Sequence, residues 1–396
     1  MHDSATPRFG DQMRRLRAER GLSLRELARV AFYGKSYLHE LETGAKEPTQ
    51  QAALRIDGAL GADGALAALA QTGVRRRAVI AHAGIAVVLP EAILDYGRRV
   101  SADVPQQIAD RTARLRRIDD YLGGADTYQM YTAELNSTLR LIQDGSYPDG
   151  TGRALLSVCA EQAQMAGWAA FDAGRYDEAE RLYGTSLTAA RDAGDAPLAG
   201  NAMAFVAYQD LALGRPATAT IVEACETADP TATPSVRALL HMRRAWIHAV
   251  HGQPEDAERH LDIGVTCLTD QDDRPEPDWV YWVDQQEAEI MTGRCWTVLR
   301  RPLRAIPVLE SVLRRYDDTH ARDKALYLSW LADAYLDVNE IEQCCVTAEK
   351  AVRLSSGVAS VRPKQRIEAL LTRLAPHAGL SCVAELRDLT TTRSAR

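Results

Sequence analysis

Between Gly34 and Gly44 the chain reads GKSYLHELETG. Lys35, Ser36, His39 and Glu40 there set an ammonium, a hydroxyl, an imidazole and a carboxylate within two helical turns. Such groups can read base edges. An ammonium donates to guanine O6/N7, a carboxylate accepts from cytosine N4, and a hydroxyl or imidazole serves bases or phosphates. Tyr37 lies beside them. Arg14, Arg17, Arg25 and Lys46 suit phosphate oxygens, contacts that fix register without reading sequence. No GxSxG, Walker A, GxGxxG or HExxH pattern occurs anywhere, so no enzymatic activity and no cofactor are expected.

These residues need a small helical frame. Phe9, Met13 and Leu16 form one apolar stripe of a first helix, which Gly21 ends. Ser23 with Glu26 is a capping box opening a second helix, with Leu27 and Ala28 on its buried side. A turn through Phe32–Gly34 leads to a third helix with Leu38 and Leu41 inward, stopped by Gly44. Pro48 and Thr49 start a fourth helix using Ala53, Ile56 and Leu60, and Asp63 to Ala70 makes a short fifth.

SLRELA, the turn and LHELETG together resemble the lambda-repressor-like (XRE) helix-turn-helix family, over about Arg8 to Gly61. The resemblance implies that the third helix enters the major groove, with Lys35, Ser36, Tyr37, His39 and Glu40 toward the bases. It also implies double-stranded DNA as partner. Two positions depart from the family pattern. Leu24 stands where a phosphate-binding glutamine is usual. Phe32 stands where a left-handed glycine or asparagine is usual, at a cost of about 1 kcal/mol if that backbone is kept.

Composition permits this. Residues 1–77 carry 13 Lys/Arg against 9 Asp/Glu, a balance of +4 within a chain of formal charge -7. Phosphate contacts are local and screened within about 10 Å, so an acidic remainder does not prevent DNA binding. Seven cysteines without a CxxC pair point to reduced thiols and a cytoplasmic protein, and no apolar run is long enough to span a membrane. VRRRAVIAHAGIAVVLPEAIL, residues 74–94, imitates an export signal but follows a complete domain; it reads as a connecting segment. RTARLRR, residues 111–117, fits either a continuing basic bridge or a solvated helix face.

From about residue 150 one pattern recurs: Gly174-x-Tyr176-x-x-Ala179-x-x-x-Tyr183, then Gly214 with Ala219, Gly252 with Ala257 and Leu261, a degenerate copy with Gly293, and Asn339 with Cys344. It is the turn and second helix of a tetratricopeptide-like (TPR-like) hairpin. The expected fold is therefore all-α: a five-helix head over 1–73, connecting helices over 74–125, a TPR-like α-solenoid over 126–356, and capping helices with a disordered TTTRSAR tail over 357–396. Taking Gly174, Gly214, Gly252, Gly293 and Asn339 as equivalent, a groove stripe six residues earlier holds Trp168, Tyr208, Trp246, Glu287 and Asp333. A second stripe includes Gln164 and Met242, and Asn201 lies further along. Rings and amides suit a peptide or small amphipathic ligand; rings at this spacing equally suit packing between hairpins. His241, His248 and His251, with His260 on the next helix, read as ordinary histidines, and no metal is expected.

A head of this kind before such hairpins is similar to the RRNPP peptide-sensing regulators and to actinomycete XRE–TPR regulators. That likeness implies a homodimer on a palindromic operator, with a peptide or small-molecule effector in the solenoid groove, as in quorum sensing. Asn201 matches the groove asparagine that holds peptide backbone in the RRNPP group. Two other readings fit the same residues: a solenoid that binds a protein partner, or a constitutive repressor that uses it only to dimerise.

Overall fold

In the computed structural model the chain divides into two units, Met1–Val88 and Leu89–Arg396. The structure describes residues 9–62 apart from 32, 47 and 49, then 66, and 99–394 apart from 271. Phe32, most of the fifth head helix and the 74–94 segment lie outside the described residues. The protein is all-α, with eighteen helices among those described and only an isolated bridge between Arg99 and Ser146.

The first unit contains α1 (Phe9–Glu19), α2 (Leu24–Ala31), α3 (Lys35–Glu42) and α4 (Gln50–Leu60). Phe9, Met13, Leu27, Leu38, Leu41, Ile56, Leu60 and Leu66 form its core, close to the apolar stripes of the sequence. Gly10 is required by α1 crossing the end of α3: a Cβ there would strike the Leu41 and Glu42 carbonyls. The capping box forms as expected. Glu26 accepts from the Ser23 N–H at 2.7 Å, and Ser23 Oγ accepts from the Glu26 N–H at 3.3 Å.

The second unit runs α5 (Val104–Arg116), α6 (Gly124–Asp144), α7 (Asp149–Asp172), α8 (Tyr176–Ala193), α9 (Ala196–Ala212), α10 (Thr218–Ala228), α11 (Pro234–Val250), α12 (Pro254–Cys267), α13 (Gln285–Val298), α14 (Pro302–Arg315), α15 (Ala321–Asp337), α16 (Ile341–Ser355), α17 (Arg362–Arg373) and α18 (Ser381–Ser394). From α7 to α16 they pack as consecutive pairs, and the first helix of each pair also touches the first helix of the next, as in a solenoid. The tail expected to be disordered is helical as far as Ser394.

Each pair repeats one geometry. The first helix ends in a left-handed residue, Gly174, Gly214, Gly252, Arg300 or Asn339, with φ between 56° and 78°. The next N–H (Arg175, Arg215, Gln253, Arg301, Glu340) donates five residues back, the Schellman closure. The fourth residue of each second helix is Ala179, Ile221, Ala257, Ala305 or Cys344, all fully buried. Two sequence expectations are thereby corrected. Ala219 is exposed, because the second turn is longer and Ile221 takes the packing position. Gly293 is not the fourth turn residue. It lies inside α13, where a Cβ would strike Leu309, just as one on Gly167 would strike Tyr183.

The solenoid closes on itself. The link between α16 and α17 crosses the end of α7 and the start of α6. Asp172, fully buried, accepts from the Gly124 N–H and from Ser360 Oγ, both at 2.8 Å. Its carbonyl accepts from the Val361 N–H at 2.9 Å, and Ala359 O accepts from the Ala125 N–H at 3.1 Å. Gly123 is needed here, because a Cβ would enter the Ala359 backbone.

Two stability predictions follow from these positions. Arg300→Gly should raise the unfolding free energy by about 1 kcal/mol, since a left-handed non-glycine costs roughly that much. Asp172→Ala should lower it by about 1–3 kcal/mol or more, because two buried donors lose their acceptor. Urea unfolding followed by circular dichroism checks both; an unchanged midpoint for Asp172→Ala contradicts the closure as a stabilising contact.

Candidate nucleic-acid interface and interior cavity

In the head, α3 presents Lys35, Ser36 and His39 to solvent, with Tyr37 and Glu40 half-buried. Lys46 pairs with Glu40 at 3.6 Å and sits 5.2 Å from the Tyr37 ring, so these three form one cluster. Arg25, on α2, is exposed and free to meet a phosphate. Of the arginines expected to hold phosphate, Arg17 is turned to an internal partner, whereas Arg14 remains exposed. Arg17 grips the buried Glu42 through two hydrogen bonds, at 2.6 and 3.1 Å, and donates to the Leu22 carbonyl at 2.8 Å. Arg14 donates to the Glu42 carbonyl at 2.6 Å. A buried carboxylate needs such partners, and these cations brace α1 on α3.

The second unit contains a cavity of about 480 Å³. The corrected repeat shows why particular residues reach it. Counting back from the left-handed residue, positions at -13, -9 and -6 share a helix face. The -13 stripe is Glu161, Asn201, Leu239 and Glu287; the -9 stripe starts Met165, Phe205, Arg243; the -6 stripe contains Trp168 and Arg294. All of these line the cavity. Gln164, Trp168, Asn201 and Glu287, expected in the groove, do face it. Tyr208 lies just behind the wall. The others do not line it. Met242 is core, against Gly264; Trp246 packs edge-on against Trp330 at 5.2 Å. Asp333 is occupied by Arg366 at 2.7 Å and by Arg373. Asn201 donates to Gln164 Oε1 at 2.7 Å, and Gln164 donates onward to Ser186 and the Leu198 carbonyl, so the two amides form one internal chain.

The open groove is filled in from both ends of the array. Tyr281 donates to Asp120 at 2.5 Å, Arg322 pairs with Asp119 and Asp323 at 3.0 Å each, and Arg116 pairs with Glu161 at 2.5 Å and with Asp278. Of the other arginines of RTARLRR, Arg111 pairs with the buried Glu134 at 2.8 Å, and Arg117 pairs with Asp278 at 2.6 Å at the surface. Burial raises the Asp119 carboxyl to about 6 against the pull of Arg322.

Deeper in, Arg243, Arg294 and Arg362 surround the Tyr208 phenol. Arg294 and Arg362 each donate to its oxygen at 3.3 Å, and the Arg243 guanidinium lies 4.8 Å from its ring centre. Burial raises that phenol's pKa, but Arg362, Arg294 and Arg243 outweigh it and hold it near 7. Glu287 accepts from Tyr327 Oη at 3.1 Å. Burial raises it to about 7, against Arg294 and Arg243. Sequence reasoning missed Arg294 because the fourth turn carries arginine where the others carry glycine or asparagine. Arg362 reaches the cavity only through the closure.

The histidines pack on one another: His260 stacks with His241 at 5.1 Å and with His248 at 5.5 Å. Burial, then Arg244, pushes His260 down to about 3, so its ring is neutral. Among the described residues no group of three or more His, Cys, Asp or Glu is arranged to hold a metal, and no helix is long and apolar enough to cross a membrane.

A family described as helix-turn-helix domain matches residues 8–70, the head alone. No curated protein and no solved structure shows significant similarity to the chain. The first unit is thus a helix-turn-helix domain, which implies DNA binding, and a long all-helical region of paired helices follows it.

The buried acids make stability pH-dependent. Between pH 4.5, the ordinary value, and about 7, native Glu287 holds a proton that the unfolded chain has released. Stability from this group is therefore full below 4.5 and lost as pH rises through 7. Glu287→Gln should flatten that fall, read as a melting temperature less sensitive to pH across this window than in the unaltered protein. An unchanged pH profile contradicts the assignment.

Proposed function

We propose that the chain is a sequence-specific, DNA-binding transcriptional regulator of the cytoplasm, not an enzyme. It acts as a homodimer on a palindromic site, and its paired-helix unit senses an effector held in the interior cavity. The observation that carries the reading is the helix-turn-helix match over residues 8–70, with Lys35, Ser36 and His39 exposed along α3.

Phosphate contacts supply most of the affinity of such a head and little sequence information, whereas base-edge contacts supply the discrimination. Two heads engage a palindrome when their reading helices stand about 34 Å apart. An effector that binds one arrangement of the second unit better than another shifts the population of DNA-competent dimers. A concave cavity of about 480 Å³ favours an effector over a solenoid that only dimerises or docks a protein.

The test is selection of sites from random double-stranded DNA by the purified full chain, followed by salt-dependent binding to the selected site. Lys35→Ala should cost about 1–3 kcal/mol on that site and relax its preference at one base. Arg25→Ala should weaken all sequences alike and lower the salt slope by about 1. Failure to enrich any sequence, with and without cell extract, overturns the reading.

A further inference from the structure

The inner end of the cavity holds more hydrogen-bond donors than the protein satisfies. A guanidinium carries five N–H donors and a phenol oxygen two lone pairs, so the Tyr208 hydroxyl is saturated by Arg294 and Arg362. Arg294 is only 3% exposed, yet its Nε has no partner, and no carboxylate lies within ion-pair distance of it among the described residues. Arg243 donates no hydrogen bond there and rests on the faces of Tyr208 and Trp282, at 4.8 and 5.8 Å. Among the described residues Arg362 alone of the three has an ion pair, with Asp172 at 3.7 Å. A buried cation without a counter-charge is costly. Arg243 and Arg294 lack a direct ion pair among the described residues, Glu287 acting on both only through space, and all three arginines line the cavity.

Apolar faces flank the cluster. Arg362 lies 4.6 Å over the Trp168 ring, which packs against Phe205 at 5.8 Å, and Trp282 stands beyond Arg243. Trp168, Phe205 and Trp282 also line the cavity, whose volume falls among those of drug-sized ligand sites, about 300–1,000 Å³.

We infer that the cavity takes a small organic acid with a flat apolar body, its carboxylate held by Arg243, Arg294 and Arg362 and its body lying among Trp168, Phe205 and Trp282. This rests on the reading of the cavity as an effector site and names the effector's chemical class. Arginine forks match a carboxylate's two oxygens, and each such bond is charge-assisted. Toward the other end, Arg322 is taken up by Asp119 and Asp323 and Arg116 by Glu161 and Asp278, so the arginines there are already occupied by acids of the protein.

Isothermal titration of the full chain with 2-naphthoate, 2-naphthamide and 2-naphthylmethylamine tests this. The three probes share a body and differ in charge. Naphthoate should bind at least tenfold more tightly than the amide, and the amine weakest. Arg243→Gln should reduce naphthoate affinity at least tenfold and leave the amide unchanged. Tyr208→Phe, which removes the competing acceptor and keeps the ring, should retain or increase naphthoate affinity. Equal binding of acid and amide, no binding of any probe, or loss of naphthoate binding in Tyr208→Phe overturns the inference. DNA binding by the same preparations is measured in parallel. Intact DNA binding with naphthoate rejected removes the organic-acid assignment alone; loss of both removes the regulator reading as well.

Discussion

Asp172 is the contact on which the second unit turns. It is a fully buried carboxylate at the end of the first pair's leading helix, and it is satisfied by groups from both ends of the array: the Gly124 N–H, Ser360 Oγ and Arg362. A carboxylate so placed tolerates no loss of partners, because desolvation is offset only by hydrogen bonds and counter-charge. The array is therefore held as a closed turn. An open solenoid offers a groove to a long chain; a closed one offers a bounded interior to a small molecule.

Closure also explains the chemistry of that interior. Arg362 reaches Tyr208, 154 residues earlier, only because the link before α17 returns to α7. There it joins Arg294 and Arg243. Their combined field holds a buried phenol near neutrality, the reverse of what burial alone does. Burial also pushes carboxyl groups upward, Glu287 beside that cluster and Asp119 toward the other end. The interior thus holds directly paired arginines at one end and, at the other, Arg243 and Arg294 without a direct ion pair among the described residues.

The head follows simpler physics. Its core is small, and Glu42 is buried within it, so Arg17 is drawn inward while Arg14 stays exposed and donates to the Glu42 carbonyl. Cations that look available for DNA in the sequence are divided between bracing the fold and facing solvent. Burial of a carboxylate elsewhere in the chain decides which is which.

The helical periodicity, the Ser23–Glu26 capping box, the SLRELA…LETG pattern and the recurring turn glycines were legible without coordinates, because each is a local signal set by helix geometry. They determined an all-α chain with a helix-turn-helix head and paired helices behind it. The register of the fourth pair was not legible. Arg300 adopts a left-handed backbone that sequence associates with glycine, and the nearby Gly293 serves close packing instead. Nor could the sequence tell Trp168, which faces the cavity, from Trp246, which packs against Trp330. Local propensity fixes where helices begin and end, whereas the partner of a buried charge is chosen by residues far away in the chain. Tertiary structure alone decided that the array closes, that Arg17 turns inward, and that three arginines meet on one phenol.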